Sequence, residues 1–191
     1  MKNAEKNAFI KALDSKLRNA SPLLLAIDGR CGSGKSTLAQ ELMERYLKDA
    51  ALISMDDFYM PFNQRTQERM AQPGGHMDLE RFLSQVLHPL KQGIAFHYDV
   101  FDCSDGSFRT LHHTPAPLTI IEGSYSLHPL LRDSYDMRVF MTTDRDTQRQ
   151  RLLAREGEEK FKQFEARWIP REEEYLKTYQ IQEKADYIIT T

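Results

Sequence analysis

The chain has 191 residues, with 26 lysines and arginines against 28 acids. That near balance excludes the broad basic surface of a general nucleic-acid binder, while leaving room for a local anion site. Two cysteines exclude a disulfide framework, no apolar run approaches the ~20 residues of a membrane span, and the length suits one domain over residues 1–191 with its own core. The opening residues lack the apolar stretch of a signal peptide, so a reducing cytoplasm is the expected location.

The elements follow in chain order. Residues 4–18 place Ala8, Phe9, Ala12, Leu13 and Leu17 on one stripe, the pattern of an amphipathic helix. Leu23 to Ile27 is a continuous apolar run that reads as a buried strand. Gly29-Arg30-Cys31-Gly32-Ser33-Gly34-Lys35-Ser36 then fits the phosphate-loop pattern G-x-x-x-x-G-K-[ST], and Thr37 continues into a helical pattern. Strand, glycine loop and helix in that order are the context the motif requires. Its glycines let backbone N–H groups turn inward onto phosphate oxygens, and the following helix adds the positive end of its dipole. Residues 29–37 are therefore expected to hold ATP, with Lys35 reaching the β- and γ-phosphates and the Ser36 hydroxyl on Mg²⁺.

Ala51 to Ser54 is a short second strand, ending in Met55-Asp56-Asp57-Phe58-Tyr59. Residues 60–77 are polar, with Pro61, Pro73, Gly74 and Gly75, and read as a loop holding a short helix near Thr66 to Met70. Asp78 opens a helix whose apolar face is Leu79, Phe82, Leu83, Val86, Leu87 and Leu90. Residues 94–111 read as a hairpin turning at Asp105-Gly106. Leu118 to Ile121 is a buried strand ending in Glu122-Gly123, and Met137 to Met141 is another. An arginine-rich helix over 144–156 precedes a helical stretch over 158–180, with a break expected at Pro170. Ala185 to Ile189 is the last strand. Alternating strands and helices predict an α/β fold, a parallel sheet with helices on both faces.

In such a sheet, ligands sit at the carboxyl ends of the strands. The tips carry the phosphate loop, Asp56-Asp57, Glu122 and the arginine helix, a set suited to phosphoryl transfer to a hydroxyl. Asp56 or Asp57 is either a turn former or the base that takes the acceptor's proton. Glu122 is either a solvated strand end or a metal ligand beside the loop. Asp78 either caps its helix or holds acceptor hydroxyls. Arg145, Arg149, Arg151 and Arg155 form two i,i+4 pairs, either a solvated face or a lid closing over phosphates. Arg65 either approaches the acceptor or lies on the surface. Tyr125 and His128 are candidates for the acceptor pocket, whereas Trp168 is expected to pack the final helix rather than stack a base, and Tyr135 to lie in the core.

The loop, Asp56-Asp57-Phe58-Tyr59, Glu122-Gly123 and Ala185-Asp186-Tyr187-Ile188-Ile189 together resemble the uridine kinase and phosphoribulokinase family, over nearly the whole chain. The Asp-x-Phe-Tyr segment is the more discriminating part, since many ATPases and GTPases share the loop. The resemblance implies a P-loop three-layer α/β/α fold of nucleoside-monophosphate-kinase type. It has about five parallel strands, a lid near 144–165 and an acceptor-binding insertion with a hairpin near 60–113. It implies Asp56 as general base with Lys35 as its catalytic partner, and Ser36, Asp56 and Glu122 as the magnesium shell. Arg151 and Arg155 would be the lid arginines. Asp57, Tyr59, Arg65, Asp78, Tyr98 and Tyr125 are the acceptor candidates.

The leading acceptor is a nucleoside such as uridine or cytidine. The chain departs from that family where a base is read. Tyr98-Asp99 matches the hairpin's Tyr-Asp pair, but Cys103 stands where a histidine follows, and an early lid arginine becomes Gln148. Nicotinamide riboside, pantothenate or a sugar phosphate are the alternatives. A regulatory ATPase acting through a protein partner is the rival of another class, although the chain lacks the Asp-x-x-Gly and Asn-Lys-x-Asp signatures of switch GTPases. Members of the family often form homo-oligomers, but no stripe here marks an interface.

Overall fold

A computed structural model describes residues 2–19 and 22–191. Helix α1 (Lys2–Asn19) leads into β1 (Leu23–Gly29), the loop, and α2 (Lys35–Tyr46). Strand β2 (Ala50–Ser54) is followed by the short α3 (Gln67–Met70) and by α4 (Leu79–Phe82). A π turn (Leu83–Leu87) joins α4 to α5 (His88–Gln92). Strands β3 (Phe96–Phe101) and β4 (Phe108–His113) form the hairpin. Then come β5 (Leu118–Glu122), β6 (Met137–Thr142), α6 (Arg145–Gln163), a second π turn (Phe164–Trp168), α7 (Ile169–Thr178) and β7 (Tyr187–Thr190).

The main sheet runs β2-β5-β1-β6-β7 with every pairing parallel, and the hairpin pairs separately. Strand β1 is central, with Leu23 opposite Leu118 on one side and Leu25 opposite Met137 on the other. It is buried along its whole length, which explains why it is apolar without alternation. Alternate residues still choose opposite faces. Leu23, Leu25 and Ile27 pack with Phe9 and Leu13 of α1 and Leu38 and Leu42 of α2. Leu24 and Ala26 pack on the other side with Phe82, Val86, Phe140 and Tyr175. Fully burying a side chain such as Phe9 or Leu13 contributes about 1.5–3 kcal/mol, so α1 is fastened by its apolar stripe.

The break expected at Pro170 is absent, since the helical run continues through it. Pro170 falls in the first turn of α7, directly after the π turn Phe164–Trp168, whose i→i−5 bonding (Ile169 N–H to the Phe164 carbonyl) carries the helix past the proline. The interruption falls at Gly157, between the helices expected over 144–156 and 158–180, where φ of 78° and ψ of 169° are non-helical. Arginines 145–155 are thereby separated from the run that carries Trp168. The last strand also starts two residues late, because Asp186 is engaged with Arg138, pairing at 2.9 Å.

Gly29 ends β1 with its backbone pressed against β6. A Cβ there would stand 1.9 Å from the Met141 carbonyl oxygen, and φ is +141°. Backbone cannot yield as a side-chain tip can, so Gly29→Ala is expected to cost more than ~2 kcal/mol of stability. Urea unfolding of the variant should show a lower midpoint. An unchanged midpoint would mean that the strand end relaxes freely.

Candidate active site

A cavity of about 710 Å³ opens at the carboxyl ends of β1, β2 and β5, beside the glycine loop. Its loop side is formed by Cys31, Gly32, Gly34, Lys35, Ser36 and Thr37. The Lys35 ammonium is nearly buried and donates to the Gly29 carbonyl at 2.8 Å and the Arg30 carbonyl at 3.1 Å. Both acceptors are neutral, and its charge also reaches the carboxyls of Asp28 and Glu122, so the ammonium stands among the acids at the loop.

The Ser36 hydroxyl donates to Oε1 of Glu122 at 3.2 Å. Burial raises the Glu122 carboxyl above the usual carboxylate range, with Lys35 and the Ser36 hydrogen bond opposing and the charge of Asp56 adding to the rise. Asp56 follows β2 directly. The Ser54 hydroxyl accepts its backbone N–H at 3.2 Å, and its Oδ1 accepts from the Tyr59 hydroxyl at 3.3 Å. The carboxylate is otherwise exposed and lines the cavity.

These donors fit magnesium. Hard oxygens of one hydroxyl and two carboxylates converge, and Glu122 is a desolvated carboxylate with lone pairs to spare. Among the described residues no group of three or more His, Cys, Asp or Glu could hold a metal by itself. Magnesium keeps several waters and binds through one or two carboxylates plus substrate phosphates, so it needs no such cage. The loop also fits a triphosphate: α2 starts at Lys35, so its first N–H groups and the positive end of its dipole face the loop.

The structure separates the remaining sequence candidates. Tyr59, Arg65 and Tyr125 line the cavity, as do Arg151 and Arg155. Arg151 donates to the Gly32 carbonyl at 3.0 Å, and Arg155 pairs with Glu156 at 2.7 Å. Arg149 lies over the Phe161 ring instead. Asp57, Asp78 and Tyr98 do not line the cavity. Asp78 caps α4, accepting the Arg81 N–H and pairing with its guanidinium, both at 3.0 Å. Tyr98 is in the core, stacked on Phe58, with its hydroxyl 3.5 Å from Asp57. Its strand alternation turns it inward, which a Tyr-Asp pair alone does not reveal.

Within the loop, Gly29, Arg30 and Ser33 also stand back from the cavity. Gly29 is enclosed by β6, Ser33 is buried, and Arg30 reaches away to Glu173 at 2.5 Å and Thr142 at 2.8 Å. Trp168, expected to pack the final helix, lines the cavity. His128 packs against Tyr175 and Tyr179 rather than lining it. Tyr135 is buried as expected. Gln148, at the position of the missing early arginine, donates to the Cys31 carbonyl at 2.9 Å and braces the loop.

Two buried carboxylates escaped the sequence reading. Asp28 is fully buried at the end of β1. It accepts from Gly29 N–H at 2.7 Å, Tyr125 N–H at 3.2 Å, Leu127 N–H at 2.8 Å and the Tyr175 hydroxyl at 2.7 Å. Burial pushes it up to about 6 against those hydrogen bonds and the charge of Lys35. A lone acid closing an apolar strand was the available signal. Glu172 accepts from Cys31 N–H at 2.8 Å and the Ser124 hydroxyl at 2.7 Å. It sits in the run Arg171-Glu172-Glu173-Glu174, where nothing local distinguishes it.

The far end of the cavity is aromatic. The His76 ring lies 6.0 Å from Tyr59, 4.7 Å from Tyr125 and 5.5 Å from Trp168. Burial, with the charges of Arg171, Arg65 and Arg167 adding, lowers His76 to about 4, so the imidazole is neutral at pH 7.

A phosphate loop leaving the central strand of a five-stranded parallel sheet, with flanking helices and a small antiparallel hairpin, places the molecule among P-loop proteins of three-layer α/β/α architecture. Comparison with known proteins narrows this class. The profile of the Phosphoribulokinase / Uridine kinase family matches residues 24–189, and the chain belongs to that family. It is a kinase that transfers phosphate to a hydroxyl group.

The chain is 28% identical over 148 residues to a uridine kinase of Clostridium botulinum, covering 73% of this chain and 71% of the relative. It is 25% identical over 162 residues to uridine-cytidine kinase 2-B of Danio rerio, covering 75% of this chain and 61% of the relative. Among solved structures, a possible uridine kinase from Bacillus stearothermophilus superposes with a TM-score of 0.65 at 21% identity, over 95% of this chain and 99% of the other, a likeness of fold.

Proposed function

We propose that the protein is an ATP- and Mg²⁺-dependent kinase whose acceptor is the hydroxyl of a small metabolite seated against Tyr59, His76 and Tyr125. The observation that carries this reading is the convergence of Lys35, Ser36, Glu122 and Asp56 on one cavity. Ser36, Asp56 and Glu122 would hold the magnesium ion, which would supply neutralisation of the phosphate charge. Lys35 and the loop amides hold the γ-phosphate in line with the acceptor. The acceptor oxygen forms its bond to the γ-phosphorus as the bond to the bridging oxygen breaks and ADP leaves. Asp56 takes the hydroxyl proton. Arg151 and Arg155 add positive charge from the lid.

A nucleoside such as uridine or cytidine is supported by the likeness to uridine kinases. A different acceptor is favoured by one observation: Asp78 and Tyr98 are committed to a helix cap and to the core. ADP release with Mg·ATP should be followed against uridine, cytidine, deoxynucleosides, nicotinamide riboside, pantothenate and sugar phosphates. Acceptor-dependent turnover is the expected result. Tight ATP binding with hydrolysis that no acceptor accelerates would favour a regulatory ATPase instead.

A further inference from the structure

The arginines around the site differ in how their charge is met. Arg30, Arg69 and Arg81 each pair with a carboxylate, Glu173, Glu80 and Asp78 respectively. Arg65 and Arg167 line the cavity, and among the described residues neither makes an ion pair. Arg65 is half-buried. It donates through Nε to the Met60 carbonyl at 2.8 Å, lies over the Phe62 ring at 4.6 Å, and has Nη2 3.5 Å from Cys103 Sγ. Arg167 lies over the Trp168 ring at 4.7 Å. Carbonyls, rings and a thiol bring no carboxylate to either guanidinium, so half-buried Arg65 and exposed Arg167 are met by neutral groups and solvent alone.

No other lining group is free to cancel them. Three acids line the cavity. Asp56 and Glu122 belong to the base and metal shell under the kinase reading, and Glu172 is held by Cys31 N–H and Ser124. The donor's phosphates are served by Lys35, the loop, Arg151 and Arg155. Arg65 and Arg167 are therefore surplus to the nucleotide. They stand with the aromatic rings: Trp168 carries Arg167 and touches His76, and His76 faces Tyr59, whose hydroxyl meets Asp56. Burial is the main cause of the lowered basicity of His76, and the charges of Arg171, Arg65 and Arg167 add to it, so both arginines lie near this ring.

We propose that the acceptor is a hydroxylated anion, its hydroxyl at Asp56 and its carboxylate or phosphate monoester between Arg65 and Arg167. Guanidinium groups suit both anions, because their planar fork matches two oxygens at once. A neutral acceptor would fill the aromatic end and leave both charges unanswered. This inference rests on the kinase reading, which assigns the other charged groups to the donor.

The test is calorimetric titration of the protein saturated with Mg²⁺ and a non-hydrolysable ATP analogue. The probes are matched pairs: ribose 5-phosphate against ribose, D-glycerate against glycerol, with uridine alongside. The anions should bind at least roughly tenfold more tightly than their neutral partners, and Arg65→Gln and Arg167→Gln should each weaken the anions by roughly 10- to 100-fold. The ATP analogue's affinity should stay unchanged in both variants, which also shows that they fold. Ribose 5-phosphate and D-glycerate distinguish the phosphate from the carboxylate. Uridine, ribose or glycerol binding as well as the anions would overturn the proposal. So would anion affinity unmoved by both substitutions, or no anion binding in the millimolar range. Failure of the wild-type protein to bind the ATP analogue would sink the kinase reading, and the proposal with it.

Discussion

Asp56→Asn is expected to reduce turnover by about 10²- to 10⁴-fold, the usual contribution of a positioned general base. The affinity for ATP should stay within a few fold. Asparagine keeps the shape of the side chain and can still accept the Tyr59 hydroxyl, but it cannot take a proton from the acceptor. Lys35→Ala should behave differently. Its ammonium stands at the loop itself, 2.8 Å from the Gly29 carbonyl. Removing it should lower both turnover and ATP binding, by about 10²- to 10³-fold in turnover for a lost electrostatic stabiliser. Steady-state ADP release with the identified acceptor, read beside nucleotide titration, separates the two. An Asp56→Asn enzyme that keeps most of its turnover would remove Asp56 from the role of base.

The second large effect is one of stability. Asp28→Asn should lower the free energy of unfolding by about 2–4 kcal/mol at pH 7. The wild-type carboxylate accepts four donors in a fully buried position. An amide turns one acceptor into a donor, so at least one buried N–H or O–H loses its partner. The pH dependence has a defined sign. Burial raises Asp28 to about 6, above the ordinary value of 3.8, so the folded protein binds this proton more tightly than the unfolded chain. Its contribution to stability is fully present below pH 3.8 and is lost as pH rises through about 6, a change of roughly 3 kcal/mol. Asparagine has no such proton. The deficit of the variant should therefore widen as pH falls from 7 toward 4. Urea unfolding of both proteins across that range measures it. Equal stability at pH 7, or a deficit that narrows in acid, would remove Asp28 from this role.

Asp28 also connects stability to the site. Its partners begin the phosphate loop at Gly29 and fix the backbone just past Glu122 at Tyr125 and Leu127. A variant that folds but loosens these tips should misplace Ser36 relative to Glu122, and losses of this kind are steep for reactions that depend on alignment.

Much of this architecture was legible along the chain because its signals are local. The apolar run of β1, the glycine loop and the helix after it occupy consecutive residues, and each is enforced by backbone sterics and periodicity within a few positions. Asp56 and Glu122 were readable because each directly follows or ends a strand, and parallel strands bring their carboxyl ends to one edge. The boundary at Gly157 was legible as the gap between the helices read over 144–156 and 158–180, whereas the break expected at Pro170 is absent because the π turn just before it carries the helix through, which only the folded backbone shows.

What the tertiary structure alone decided is how side chains distant in sequence share charge and space. Asp28 meets Tyr125 and Tyr175 across 97 and 147 residues, and Glu172 meets Cys31 across 141. Tyr98 turns into the core while Trp168 reaches the cavity, an exchange set by packing against Phe58 and His76. Arg167 looks like any surface arginine in the sequence, and Arg65 reads equally as an acceptor contact or a surface loop residue. Only folding shows which arginines have carboxylates beside them and which do not, because a charge is cancelled by what stands near it in space.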